Sequence, residues 1–399
     1  MKKIVKMSLV AAVAVAGLTT ANAKPLEEAI KDVDVSGTVV YRYNDYNNDT
    51  AKTATQSNNY KIGLNLSSKV NDDVKLNTRF IVGSDTDAGF VSLGQASADK
   101  DAQADVTLSN VYFSYTGIAN TTVNVGKQGL TTPWTVAIDS DGNEQTGTGI
   151  LALTTVGPVT MAAAYFNQTN LDSSIDAKLG TKAVKGLLNG TADIATLGVI
   201  ANVGPVTLDA WYLDMADLTS TDRGFDTYTI GAKGGFDVSG VKLGADVRYT
   251  SLDFDNYTDD QNVIKAVLTA KAGIVDVKYM YAGTDKQGGL TALDNDAATT
   301  ALTWNITSNG KADADLHNFS VGVQALETLH VSANYTTMDY NTTAGTADEN
   351  QEELYVQLVY NMSKNLSTYV RYGTYEEETD AVKTREDDYR GRLQVQYSF

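Results

Sequence analysis

The sequence predicts an all-β protein: a transmembrane antiparallel β-barrel of about 18 strands, with long outer loops and short periplasmic turns. Three observations predict it. Apolar residues recur at every second position along most of the chain, short and long connections alternate, and the chain closes on an alternating strand that ends in Phe399.

The first residues set the compartment. Lys2, Lys3 and Lys6 form a positive n-region, Met7–Leu18 is a short apolar stretch, and Ala21-Asn22-Ala23 is a small-x-small cleavage pattern. Residues 1–23 therefore read as a cleaved signal peptide, and 24–399 as the mature barrel. The apolar stretch is too short for a membrane helix of ~20 residues. Mean hydropathy is −0.22, a value that barrels share with soluble proteins because alternation averages out in a hydropathy window.

Val33–Tyr43 begins the barrel, with Val33, Val35, Gly37, Val39, Tyr41 and Tyr43 on one face and Asp34, Ser36, Thr38, Val40, Arg42 and Asn44 on the other. The same reading places strands near 33–46, 60–68, 74–82, 106–116, 122–128, 149–155, 159–166, 192–203, 206–213, 226–234, 241–250, 262–271, 275–282, 314–325, 330–337, 353–360, 366–373 and 389–399. The count falls to 16 if the weak segments 106–116 and 149–155 are not strands. Long connections are expected at 47–59, 83–105, 129–148, 167–191, 214–225, 251–261, 283–313, 338–352 and 374–388, with a short helix at 178–188. Regular alternation of short and long connections is a property of up-and-down barrels in the outer membrane.

Aromatic residues fall at the strand ends. Tyr43, Tyr165, Tyr212, Tyr249, Tyr281, Tyr335 and Tyr372 mark the outer level, and Tyr115, Phe236, Tyr360, Tyr397 and Phe399 the periplasmic one. A ring with a polar tip suits a lipid–water boundary. In the last strand Tyr389, Gly391, Leu393, Val395, Tyr397 and Phe399 share a face opposite Arg390, Arg392, Gln394, Gln396 and Ser398.

Composition narrows the function. The chain has no cysteine; without the three leader lysines, 28 basic residues stand against 49 acidic ones, a net charge of −21. That excludes a nucleic-acid partner. His317 and His330 have no cysteine partner, and the sequence holds no nucleophile elbow, phosphate loop or HExxH motif. An enzyme is therefore not expected.

Three runs carry a family resemblance: Pro25–Gly37 leading into Tyr41-Arg42-Tyr43; Gly126-Lys127-Gln128 followed by Trp134, Ala137-Ile138-Asp139 and Gly147-Thr148-Gly149; and the ending Gln394–Phe399. Together they resemble the major outer membrane porin family of Campylobacter and its relatives. The resemblance implies an 18-stranded homotrimeric porin in the bacterial outer membrane, among lipid and lipopolysaccharide, passing ions and small hydrophilic solutes. An adhesin acting through its outer loops is the alternative.

In a porin of this kind the third outer loop, 129–148, folds inward as the constriction, bringing Trp134, Asp139, Asp141 and Glu144. By parity Arg42, Lys61, Lys75, Arg79, Arg371, Arg390 and Arg392 face the lumen as a basic wall, of which Arg42, Arg79 and Arg371 lie near mid-strand. The expectation is an acidic loop opposed across the opening by that wall, with a preference for cations. No cofactor is required. The resemblance also raises a calcium ion tying the loop to the next one through Asp139, with Asp172 or Asp176 as second carboxylate.

Overall fold

A computed structural model describes residues 33–84, 89–92, 105–171, 178–179, 182–183, 190–216, 224–255, 260–286, 288–342, 347–380 and 382–399. The leader and the expected ligands Asp172 and Asp176 lie outside the described residues.

Eighteen long strands form one antiparallel sheet. In chain order they are β1 Val33–Asn48, β2 Thr53–Lys69, β3 Val74–Gly83, β4 Asp105–Tyr115, β5 Thr121–Gly129 and β6 Thr146–Val156. Next come β7 Val159–Thr169, β8 Ile194–Val203, β9 Val206–Met215, β10 Phe225–Val238, β11 Val241–Phe254 and β12 Gln261–Ala272. The last six are β13 Val275–Thr284, β14 Ala312–Leu326, β15 Leu329–Thr342, β16 Ala347–Asn361, β17 Leu366–Thr379 and β18 Val382–Ser398. Each pairs with its neighbours in sequence, and β1 pairs with β18 from Thr38↔Ser398 to Tyr46↔Arg390. The sheet is therefore closed and has no free edge, as a membrane without water requires. Both weak segments are strands with two partners, so 16 is excluded.

Three expected loops are instead hairpins paired almost to their tips. Asn48 pairs with Thr53, Thr342 with Ala347 and Thr379 with Val382. Above the membrane both strand faces meet water, so apolar alternation stops while the backbone ladder continues. The helix expected at 178–188 is also corrected: Lys178–Leu179 pairs antiparallel with Lys182–Ala183, and its remaining residues lie outside the described ones.

The two faces are inverted relative to a soluble protein. Leu197, Val199, Ile230, Leu268, Phe319 and Leu354 are exposed on the outside, which is stable only where lipid is the solvent. At the outer rim, tyrosines donate sideways to the next strand: Tyr165 to Asp193 and Tyr281 to Asp315 at 2.7 Å, Tyr249 to Asn262 at 3.0 Å, and Tyr212 to Asp226.

The buried apolar residues lie within the barrel. One cluster joins Leu130, Trp134, Leu290 and Leu293 to Phe166, Ile194, Leu213, Phe225 and Leu252 of the inner wall. A second joins Ala301 and Ile306 to Val263, Met280, Leu316 and Met338. Among the described residues, loops 130–145 and 285–311 (residue 287 apart) thus fold into the lumen.

Candidate channel constriction

Loop 130–145 is held by charge. Lys61 on β2 donates to Glu144 at 2.7 Å, Arg79 on β3 donates to the same carboxylate through Nη2 at 2.8 Å and Nε at 3.0 Å, and the Ser109 hydroxyl donates to its other oxygen. Glu144 is 1% exposed. Burial pushes its carboxyl up, but the bonds and charges of Arg79 and Lys61 outweigh that and hold it below the ordinary value.

Local sequence makes this pocket. The β3–β4 register shifts between Arg79 and Phe80, leaving Ser109 as the extra residue of a bulge. A bulge re-aims side chains, and Ser109 is buried toward the loop. A side chain at Gly63 would place its Cβ 2.6 Å from Arg79 Nη2, so glycine there is what lets the guanidinium lie along the wall. Gly142, at φ 86°, lets the loop reverse beneath Phe90, and Lys61 donates to its carbonyl at 2.5 Å.

Asp141 spans the barrel's closing pair. It lies 3.0 Å from Arg42 on β1 and 3.4 Å from Arg392 on β18. Arg42 also donates to Gln394 at 2.8 Å and to the Ser140 carbonyl, and stacks 4.1 Å from the Phe90 ring centre.

The expectation of an acidic loop across the opening from a basic wall is therefore corrected for Glu144 and Asp141. Loop and wall are in contact, because buried cations need their counter-charge beside them. Trp134 is fully buried against Leu293 and Phe166 in the apolar cluster and presents no surface to the lumen. Lys75 is exposed near the periplasmic end of β3, and Arg390 lies over Tyr46 and Tyr375; neither touches the loop. Arg371 is separate as well: it donates to Gln357 at 2.7 Å and lies 5.0 Å from the rings of Trp304 and Tyr355 and 5.5 Å from Tyr369.

Loop 285–311 is what sequence reasoning missed. It docks on the first loop through Leu293 N to the Trp134 carbonyl (2.8 Å), Gln145 Nε2 to the Leu293 carbonyl (2.6 Å), and Ser140 N to Asp296. Its far end is fixed by Glu353 on β16, buried at 2% exposure. That carboxylate accepts from Trp304 N at 3.0 Å, Asn305 N at 2.9 Å and Asn305 Nδ2 at 3.1 Å. The one available signal was Glu353 itself, an acidic residue expected within a strand.

Between the two loops and the wall of β17 and β18 lies a polar cavity of about 330 Å³, lined by Asp139, Asp141, Asp294, Asp296, Trp304, Tyr369, Arg371 and Arg392 among others. Burial, with the nearby charges of Asp141 and Asp296, pushes the Asp139 carboxyl up to about 6 against the pull of its bonds from Asn143. Burial and the neighbouring Asp139, Asp296 and Asp141 likewise push Asp294 up to about 7.

Of the expected calcium ligands, only Asp139 lies among the described residues. Both Asp139 oxygens accept from Asn143, each at 2.8 Å, and no three His, Cys, Asp or Glu side chains among the described residues come together in a metal-holding group. His317 bonds Tyr279 at 2.8 Å and His330 bonds Asp276 at 2.9 Å, each as a strand residue.

A closed 18-stranded barrel with an apolar exterior and a lumen narrowed by inward loops has the architecture of an outer-membrane porin. The chain belongs to the Campylobacter major outer membrane protein family, whose profile matches residues 1–399. No curated protein matches it in sequence. Among solved structures it is similar to Acinetobacter baumannii OccAB3 (TM-score 0.73, 14% identity, covering 92% of this chain and 99% of that one). It is also similar to Pseudomonas aeruginosa OpdK with vanillate (TM-score 0.74, 13% identity, 92% and 99%) and a BenF-like porin from Pseudomonas fluorescens Pf-5 (TM-score 0.74, 14% identity, 92% and 99%). At these identities the likeness is one of fold.

Proposed function

We propose that the protein is a passive channel for ions and small hydrophilic solutes across the outer membrane, cation-preferring and trimeric, constricted jointly by loops 130–145 and 285–311. The observation that carries this reading is the polar cavity left between the loops and the wall, where four carboxylates and two guanidinium groups meet. Charge lining a narrow water-filled passage sets which ions enter it.

Single-channel recording of the purified, folded protein under a KCl gradient tests it, for wild type and for Asp294→Asn/Asp296→Asn. The expected result is conductance steps grouped in threes, a cation-selective reversal potential, and a clear loss of that selectivity in the variant. Absence of steps from folded protein would sink the channel reading. Steps with unaltered selectivity would remove loop 285–311 from the filter.

A further inference from the structure

Lys127, the middle residue of Gly126-Lys127-Gln128 at the outer end of β5, takes no part in the lumen. Val125 is exposed and Gln128 is buried, so Lys127, two residues beyond Val125, faces away from the channel. It pairs with Val111 and Thr148, and the exposed side chains of Leu108, Val111, Val125 and Ile150 lie beside it. Lysines and arginines of the other spanning strands, such as Lys61, Lys265 and Arg248, take the opposite parity and point inward.

Register gives its height. Tyr212 pairs with Leu197 and Leu197 with Ala163, yet the outer tyrosine of β7 is Tyr165, two residues further out. Points of equal height therefore slip by one residue per strand. From Tyr165 the pairing runs to Ile150 and on to Val125, and the same slip puts Lys127 level with the outer tyrosines. A cation facing lipid is costly at mid-bilayer and cheap at this boundary.

The site is built by its neighbours. Gly126 has φ 131°, and a Cβ there would lie 2.4 Å from the Val111 carbonyl oxygen, so glycine is what lets β4 and β5 close up beneath the lysine. Their ladder ends at Val111↔Lys127, while β4 continues to Asp105 against β3. Lys127 Nζ donates to the Leu108 carbonyl at 3.1 Å, beside the bulge at Ser109. No carboxylate among the described residues lies within ion-pairing distance of it. Elsewhere the outer boundary is acidic: Tyr165, Tyr212 and Tyr281 hold Asp193, Asp226 and Asp315 there, and Asp214, Asp226 and Asp253 stand opposite one another on β9–β11.

A phosphorylated head group is thus repelled along much of the rim and attracted at Lys127. We propose that Lys127 anchors the phosphate of a lipid of the outer leaflet, whose acyl chains lie on the apolar wall of β4–β6 below it. The ammonium acts as a point charge on the phosphate oxygens, and its stem stays against Leu108 and Val111. The proposal needs the outer-membrane barrel and is independent of which solutes the channel passes.

Native mass spectrometry of the full-length folded protein tests it, with diphosphoryl lipid A and with the same lipid stripped of both phosphates. Wild type should retain the phosphorylated lipid about tenfold better, the size expected of one charge-assisted contact. Lys127→Met keeps an apolar stem on a lipid-facing strand and should erase that preference, whereas Lys127→Arg should keep it. Equal retention of both lipids by wild type would overturn the proposal, as would loss of the preference in Lys127→Arg as well as Lys127→Met. A preference that survives Lys127→Met would also reject it. If that variant in addition changes the number of copies per particle, the lysine serves a second copy of the chain instead.

Discussion

The two described loops that narrow the lumen reach the same place by different means. Loop 130–145 is pinned to the wall by full charges: one buried carboxylate takes two cations, and a second, exposed one takes two more. Loop 285–311 has its tip fixed by a single wall carboxylate that accepts backbone N–H groups, and its body is packed by apolar residues such as Leu290, Leu293 and Ile306. In the first the loop supplies the anion and the barrel the cations. In the second the barrel supplies the anion and the loop only its amides. A charged pin depends on every partner being present, whereas a loop packed by its own apolar residues tolerates the loss of one anchor.

Glu144→Gln is the strongest way to break this contrast. It leaves Lys61 and Arg79 buried without a counter-charge, and losing one partner of a buried pair costs about 3–5 kcal/mol. Thermal unfolding in detergent should drop markedly, and single-channel conductance should rise as the loop lifts. A thermal midpoint within a degree or two of wild type would show that the pairs are not what holds the loop.

Glu353→Gln should have a smaller effect, about 2 kcal/mol, because charged hydrogen bonds become neutral ones while the apolar packing stays. The expected readout is increased open-channel noise, with the mean conductance moving less than in Glu144→Gln. If Glu353→Gln proves the more damaging of the two, the comparison is reversed and loop 285–311 is the one hung on its anchor.

The smallest effect comes from pH. Burial pushes the Asp294 carboxyl up to about 7 and that of Asp139 up to about 6. The folded state therefore binds their protons more readily than the unfolded chain does. Stability of the loop contact should rise as pH falls through these values, the gain being complete below ~4. Over the same interval the cavity loses negative charge, so the cation preference at pH 5 should be roughly half that at pH 8. Asp294→Asn should remove the upper part of this transition, which reversal potentials measured across the interval would reveal.

Much of the barrel was legible because one property, apolar alternation, reports which face meets lipid. Arg42, Arg79 and Arg392 were placed on the inner face by the same parity, and each pairs with a carboxylate of loop 130–145. Parity says nothing about what lies above them. Whether Glu144 faces Arg79 across water or touches it depends on the Ser109 bulge and the space at Gly63, and neither leaves a mark on the hydrophobic pattern. Loop 285–311 was read as a long connection, since its buried residues are scattered among Thr, Asn and Ala with no fixed period. Hairpins above the membrane were lost for the opposite reason: their strands are regular, but both faces are polar.

Asp141 sits where the chain's first and last strands meet, touching Arg42 from one and Arg392 from the other. The receptor for this side chain does not exist until β1 has found β18. The Asp141 contact is therefore complete only in the closed sheet, whereas the Glu144 contacts with β2 and β3 do not involve the closing pair. A barrel open along that line would present Arg42 and Arg392 on separate edges, so Asp141 acts as a clasp across the seam.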